Sequence, residues 1–411
     1  MFLDTLPLVF VLAGLVLYVT LGGADFGAGI WQLFAGGGER GSEIREHAHH
    51  SMGPVWEANH VWLIFVLTVS WTAYPVFLGS MASTLGAAFF IAAIGIILRG
   101  ASYALRSGTR TGRELRIIDA TFSVASLVTP FALGAAAGAI AALRVPVGNA
   151  TGGLFSSWTG ATSILVGLLA VAFSAYLAAV FLAADAVRRG QETMAEAFRR
   201  RALAAGVVAG GLAAAGLVVV HEDAHSLYVG LVHGAALAVI IASGVLGIVT
   251  MVLVFTRRFE LARLGAAAAV AAVIAAWALA RYPTLLPGLT VGQAAAPHDT
   301  MVCVVVAVLA GGVLLFPALG LLFTLTLRGR LGEQTGPPED EAAAPGRPTL
   351  AQSALRPALG ARLTVALLIA GLGLLNIADA AWAHAVGVVS LFAFVLVGFA
   401  TIVPPALAAD A

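Results

Sequence analysis

PVWEANHVWLIFVLTV, residues 54–69, sets a proline, a glutamate, an asparagine and a histidine at the entrance of an apolar run. Proline suits the first turn of a helix, where its missing N–H costs nothing. The run that follows is continuous instead of alternating, which indicates a membrane helix and excludes the dyad pattern of a β-barrel strand. A carboxylate at the centre of such a helix costs roughly 2.5–3.5 kcal/mol, and less near its end. Glu57 therefore implies a use. Being close to the positive helix end favours its ionised form, and His60, three residues on, shares its face.

The rest of the chain agrees with a membrane setting. Of 411 residues, 60% are hydrophobic and only 10% charged, and the mean hydropathy is +0.97, whereas soluble domains are nearer a quarter charged. The formal net charge of +1 gives no reason to expect nucleic acid. All basic residues are arginine. The single Cys303 lies in an apolar run, which excludes an internal disulfide framework and a cysteine-rich metal or iron–sulfur site. Pro7 to Val19 is apolar with no arginine before it, so it reads as a first membrane helix instead of a cleavable leader.

Hydropathy places helices at 7–34, 54–73, 76–99, 117–143, 160–185, 202–220, 227–256, 262–281, 298–327, 362–378 and 384–406, the first broken near Gly22-Gly23. Arginines fill alternate loops: Arg40 and Arg45, Arg106 to Arg116, Arg188 to Arg201, Arg257 to Arg263, and Arg328 onward. The opposite loops hold only Arg144 and Arg281. By the positive-inside rule the arginine-rich loops are cytoplasmic and the N-terminus is outside. The fold expected is an all-α polytopic membrane protein. Residues 1–331 form a nine-helix body, 332–361 a polar, Pro-rich linker too poor in apolar residues to pack, and 362–411 a two-helix extension.

Several residues invite chemistry, each beside a plainer reading. Gly22 to Gly29 holds an aspartate among glycines, which suits either a functional carboxylate, Asp25, or close small-residue helix packing. Trp56 and Trp62 suit an interfacial belt or a pocket wall, and Asn59 needs a partner. Arg99 either snorkels to the interface or pairs with Asp25 or Glu57. Asp119 opens a helix, where an acid is stabilising, and Asp185 faces arginines. Glu43, Glu46, His47, His49 and His50 lack any recognised metal-ligand spacing, so they read as a solvated loop, as do His221, Glu222, Asp223 and His225. Haem needs axial ligands at depth. Only His233 sits well inside an apolar run, and it reads as a packed, hydrogen-bonded residue. These residues describe a proton-handling scaffold without its own redox centre.

In order along the chain, A-D-F-G-A-G at 24–29, P-V-W-E-A-N-H-V-W-L-I at 54–64 and I-L-R-G at 97–100 are followed by Asp119 with Pro130, Gly134 and Gly138. R-Y-P-T-L-L-P at 281–287, Pro317 and Gly329 complete the series. The pattern resembles subunit II of the cytochrome bd-type ubiquinol or menaquinol oxidases. The resemblance implies a multi-pass subunit of a bacterial inner membrane, paired with a subunit I of homologous fold and with room for a small single-helix accessory subunit. The partner would hold the b and d haems, oxidise quinol and reduce oxygen to water. This chain would hold no haem, no metal and no catalytic residue of its own. Asp25 and Glu57 match the family's acidic proton path, with His60, Arg99 and Asp119 beside it and Trp56, Asn59 and Trp62 at motif positions. In some relatives a quinone occupies a structural site in this subunit. The sequence departs from the family's W-D-G-N: Trp56-Glu57-Ala58-Asn59 keeps the acid but lengthens it by a methylene. The two helices after residue 361 have no counterpart in that pattern. Two rival readings stand beside this one: a secondary transporter with an ion site at the broken first helix, and a purely structural assembly subunit with Glu57 engaged in a buried pair.

Overall fold

The structure is a computed structural model that describes residues 2–52, 56–106, 112–149, 151–327, 355–377 and 380–402. The chain divides into two units, Met1–Gly320 and Leu321–Ala411. It is an all-α polytopic membrane protein. Eight helices among the described residues are long and apolar enough to cross a membrane, and three shorter apolar stretches, Asn59–Ala73, Leu359–Gly371 and Trp382–Phe394, fall at the other expected spans.

The first span consists of α1 (Phe2–Leu17), a single π turn (Tyr18–Gly22) and α2 (Gly23–Leu33), and it is continuous. The expected break at Gly22-Gly23 is therefore corrected, and with it goes the discontinuous helix on which the transporter reading depended. The backbone never leaves the helical region, because a π turn takes in an extra residue while keeping its hydrogen bonds. The Gly23 N–H meets the Thr20 and Tyr18 carbonyls, and the Thr20 hydroxyl donates back to Val16 O at 2.7 Å.

Residues 38–52, expected as a loop, form helix α3 (Gly38–Met52), followed by α4 (Trp56–Ala73). The third span is interrupted at Leu85, giving α5 (Pro75–Thr84) and α6 (Gly86–Arg106). Then come α7 (Gly112–Ala141), α8 (Ala161–Arg188) and α9 (Glu192–Asp223). The 227–256 span divides into a short α10 (His225–Leu231) and α11 (Gly234–Phe255), followed by α12 (Phe259–Arg281). His233 stands at the junction, exposed, with Nδ1 2.7 Å from Val229 O. It is hydrogen-bonded as expected, though not packed at depth. A two-stranded hairpin (β1, Thr284–Leu286; β2, Leu289–Thr290) and a one-turn α13 (Val291–Ala294) lead to α14 (His298–Leu327). Helix α15 starts at Leu355, seven residues before the expected 362, and packs on α16 (Ala381–Ile402).

Small residues decide how closely the helices of the first unit approach. A Cβ added to Gly27 would stand 1.9 Å from Ser174 O, so α2 lies directly on the α8 backbone. Gly134 and Gly138 do the same between α7 and α8, with added Cβ atoms 2.9 Å from Gly167 Cα and 2.7 Å from Ser163 Cα. The core of this layer is Ala24, Ala28, Leu177, Ala178, Leu182 and their neighbours, all buried.

Direct contacts gather the arginine-rich turns at one end of the unit. Arg106 meets Glu46, Ser51 donates to Asp185 at 2.5 Å, Arg188 meets Glu260, and Arg199 donates to Phe255 O. At the other end both exceptional arginines are committed to the fold. Arg144 pairs with Asp223, which also accepts from Thr162 N at 3.0 Å. Arg281 donates through Nε and Nη2 to Ala141 O and through Nη1 to Ser226 Oγ. Asp223, expected to be solvated, is thus a structural acid, because it ties the α9 end to the start of α8.

Candidate functional site

The sharpest polar feature of the apolar bundle is an ion pair between α2 and α6. Arg99 Nη1 donates to Asp25 Oδ2 at 2.7 Å, and Nη2 donates to Asp25 Oδ1 at 2.6 Å and to the Asp25 carbonyl at 2.9 Å. The two side chains are 3% and 1% exposed. The guanidinium lies between two rings, 4.8 Å from the centre of Phe26 and 4.7 Å from that of Phe122. A bidentate fork with both charges satisfied is the geometry that offsets the cost of burying them. Of the two readings of Arg99, pairing holds and snorkelling does not. The close-packing reading of the glycine-rich segment holds: Gly27 and Gly29 admit α8 and α7, and that close approach brings Asp25 to Arg99.

His60 reaches the same place from α4. Its ring stands edge-on to Tyr18 and to Phe26, with centroids 6.1 Å away in each case. Phe26 therefore has His60 on one side and Arg99 on another. Asn59 is buried and donates to Leu21 O at 3.3 Å, a carbonyl inside the π turn. That bond supplies the partner an asparagine in this apolar helix needs. Trp62 is half-buried and edge-on to Phe65, on the face of α4 that meets Gly14 of α1. It belongs to helix packing. The side chains of Trp56 and Glu57 lie outside the described residues.

Asp119 is not brought to the pair. It stands in the second turn of α7, 3.4 Å from Arg106 Nε, and Arg106 Nη2 reaches Glu46 Oε2 of α3 at 3.2 Å. Arg106 follows Arg99 by seven residues, about 10 Å along the helix. Between these two levels lie polar residues that sequence reading passed over: Ser102 on α6, Ser123 and Ser126 on α7 and Gln32 on α2, all buried. Arg99, Ser102 and Arg106 follow a 3- and 4-residue spacing, as do Asp119, Ser123 and Ser126, while Asp25 and Gln32 are seven apart. Each set lines one helix face. That repeat was visible in the sequence, but serines and threonines in apolar helices commonly bond their own preceding turn. Ser126 and Thr129 do so, to Phe122 O and Ala125 O. Among the described residues, the buried Tyr18 hydroxyl, Arg99 Nε and Gln32 Nε2 have no hydrogen-bond partner.

His47 and His49 of α3, expected to be solvated, instead pack on aromatic rings, His49 with its ring centre 4.9 Å from that of Tyr103. His47 is buried, its Nε2 3.1 Å from Leu182 O and its ring against Phe198 at 5.5 Å. Burial pushes its pKa below the ordinary 6.5, against smaller opposing effects that include the Leu182 carbonyl and Asp185. No group of three or more metal-ligating side chains is gathered among the described residues.

The family model for cytochrome bd terminal oxidase subunit II matches residues 3–326, which ends before α15. Over 114 residues the chain is 29% identical to the cytochrome bd ubiquinol oxidase subunit 2 of Bacillus subtilis (strain 168). That match covers 28% of this chain and 33% of the relative, so it spans about a third of the relative's length. In fold the chain is similar to one chain in the structure of bd oxidase from Geobacillus thermodenitrificans, with a TM-score of 0.60 and 22% identity, covering 80% of this chain and 99% of that one. With the model matched across the whole first unit and the paired Asp25 and Arg99 inside it, the chain belongs to the cytochrome bd terminal oxidase subunit II family.

Proposed function

We propose that the chain is the haem-free second subunit of a bd-type quinol:oxygen oxidoreductase in a bacterial inner membrane, N-terminus outside. In this reading it supports a subunit I that carries the b and d haems, and it conducts cytoplasmic protons toward the partner's oxygen-reducing haem. The observation that carries the proposal is the buried polar seam between α2, α6 and α7. It runs from Arg106 and Asp119, with the exposed Glu46 of α3 at its rim, past Ser102, Ser123 and Gln32 to Asp25 and Arg99, where His60 of α4 packs on Phe26.

The geometry suggests a division of labour along it. Both Asp25 oxygens accept from Arg99, so Asp25 takes a proton only as the guanidinium releases one of them. Asp25 and Arg99 then act as a fixed dipole that holds the local field, and the proton moves on groups not locked in this way. Asp119 and Glu46 gather protons at the rim, while Glu57 and His60 pass them on. Water between the serines completes the relay, since a buried hydroxyl both donates and accepts. Leaving the haems to the partner follows the family resemblance, and His47 has its Nε2 turned to the Leu182 carbonyl. The haems, in the partner, supply the electron transfer and the oxygen chemistry.

Co-expression with the neighbouring oxidase subunit tests the reading. The complex should show b and d haem bands and quinol-dependent oxygen uptake; a chain that never co-purifies with a haem protein refutes it. Glu57→Gln in an assembled complex should lower oxygen uptake by about 10²-fold, the lower end of what a positioned proton-transfer group contributes. Unchanged turnover there removes Glu57 from the path.

A further inference from the structure

At the arginine-rich end of the first unit, a single carboxylate joins the α8–α9 and α11–α12 turns. Glu196 accepts from Arg199 at 2.8 and 2.9 Å, from Arg200 at 3.3 Å and from Arg257 at 3.2 Å. One acid therefore faces three guanidinium groups. Arg199 is committed, since it also donates to Phe255 O at 3.2 Å and lies 5.7 Å from the centre of the Phe255 ring. Arg200 and Arg257 are not. Their side chains are 76% and 68% exposed, and each holds Glu196 by one long bond.

The surface running away from this rim is apolar. On α9, Arg200, Ala204, Val207 and Gly211 are exposed at 4-, 3- and 4-residue steps, a single helix face. On α11, Phe255, Val252, Ile248 and Val245 form the matching exposed face. The two helices run antiparallel, with Arg199 beside Phe255 and Gly206 beside Met251, where an added Cβ would stand 2.2 Å from the Met251 sulfur. Beyond that contact the interface opens. Cβ atoms added at Gly210 and Gly211 of α9, or at Gly244 and Gly247 of α11, would meet nothing within 4 Å. Gly210 and Gly247 stand one turn beyond Gly206 and Met251 on the contacting faces, so neither contributes a side chain there, and Gly211 and Gly244 extend this glycine-lined surface as a trough away from the rim. A third transmembrane helix, about 10–12 Å across with its side chains, does not fit between helices in contact. An acyl chain does.

We propose that this rim and trough bind one anionic phospholipid, its phosphate on Arg200 and Arg257 and an acyl chain along the glycine-lined trough. Basic clusters where membrane helices end attract anionic headgroups, each basic residue contributing about a fivefold change in binding. Here the uncommitted charge and the apolar seat are contiguous. The site is distinct from the Asp25–Arg99 seam, so it stands or falls independently of the proton path.

Native mass spectrometry of the full chain with its co-purifying partners tests this, using phosphatidylglycerol against phosphatidylcholine of the same acyl chains. One phosphatidylglycerol should survive delipidation and phosphatidylcholine should not. Arg200→Gln should weaken retention about fivefold, and Arg200→Gln with Arg257→Gln about 25-fold. Gly211→Leu should also expel the lipid with both arginines in place. Should the double variant fail to fold, Arg200→Gln alone still decides, because that side chain is mostly exposed. Equal retention of the two lipids, or retention unchanged in Arg200→Gln and Gly211→Leu, overturns the proposal. So does displacement of the lipid by millimolar inorganic phosphate, which would make the rim a free-anion site. Crosslinking from position 211 to a polypeptide, without lipid retention, would assign the face to a protein partner and also overturn it.

Discussion

Arg99 holds Asp25 by three hydrogen bonds between two aromatic rings, and removing either partner strands the other charge at depth. Arg99→Gln is expected to cost about 3–5 kcal/mol, read as a fall in the midpoint of thermal unfolding in detergent. Asp25→Asn together with Arg99→Gln should recover part of that loss, because the double variant buries no unpaired charge. His47 yields a second prediction at this scale. Its folded pKa lies below 6.5, with burial the largest cause, and its charged neighbours are Asp185 and Arg189. The sign follows directly: the unfolded chain takes up the proton first, so stability is full above pH 6.5 and declines as pH falls below it. Unfolding midpoints of the native chain should drop between pH 7.5 and about 5, and His47→Gln should flatten that dependence.

Among the elements, the contact of α2 with α8 depends on Gly27. Gly27→Ala puts a methyl where the Ser174 carbonyl stands, and overpacking of this kind costs about 1–3 kcal/mol. Thermal unfolding should show that loss, and because α2 carries Asp25, oxygen uptake of the complex should fall further than stability alone explains. The elements also show where the sequence was readable. Helix spans followed from apolar length, since nothing else crosses a membrane so cheaply, and every expected span has its helix. The π turn had no signature, because no residue type encodes an extra residue inside a helix; only Asn59, asking for a carbonyl, hinted at it. Helix α3 was missed because its apolar face is narrow, with Ile44, His47 and Ala48 buried among otherwise polar residues. Asp25 and Arg99 were each legible as candidates. Their pairing was legible only as one alternative beside snorkelling and a Glu57 partner, since sequence alone does not reveal which helices are neighbours.

The family match ends at residue 326, close to the boundary between the two units at Gly320. A chain stopped after Leu327 keeps the whole matched segment. It is expected to co-purify with its oxidase partner and to support quinol-dependent oxygen uptake within about twofold of the full chain, within the variation expected of changes far from the chemistry. Loss of the haem bands in that truncation would make α15 and α16 part of the assembly. At the same scale, the positions of the arginines were the most readable feature. Turns rich in arginine meet through direct contacts, and the two exceptions, Arg144 and Arg281, are each held by a specific partner.

The π turn at Tyr18–Gly22 has one more consequence. In an uninterrupted α-helix, fixing the direction of one side chain fixes all the others, each about 100° from the last. Here an inserted residue acts as a coupling between two rotors. The N-terminal half of the first span sets Gly14 against Phe65 of α4. The C-terminal half sets Asp25 toward α6 and Gly27 against α8, and the two halves need not agree in phase. Deleting one residue between Tyr18 and Gly22 should leave a regular helix of good hydrogen bonding, turned so that one of those contacts is lost. A mild change in the backbone would thus produce a severe one in the site.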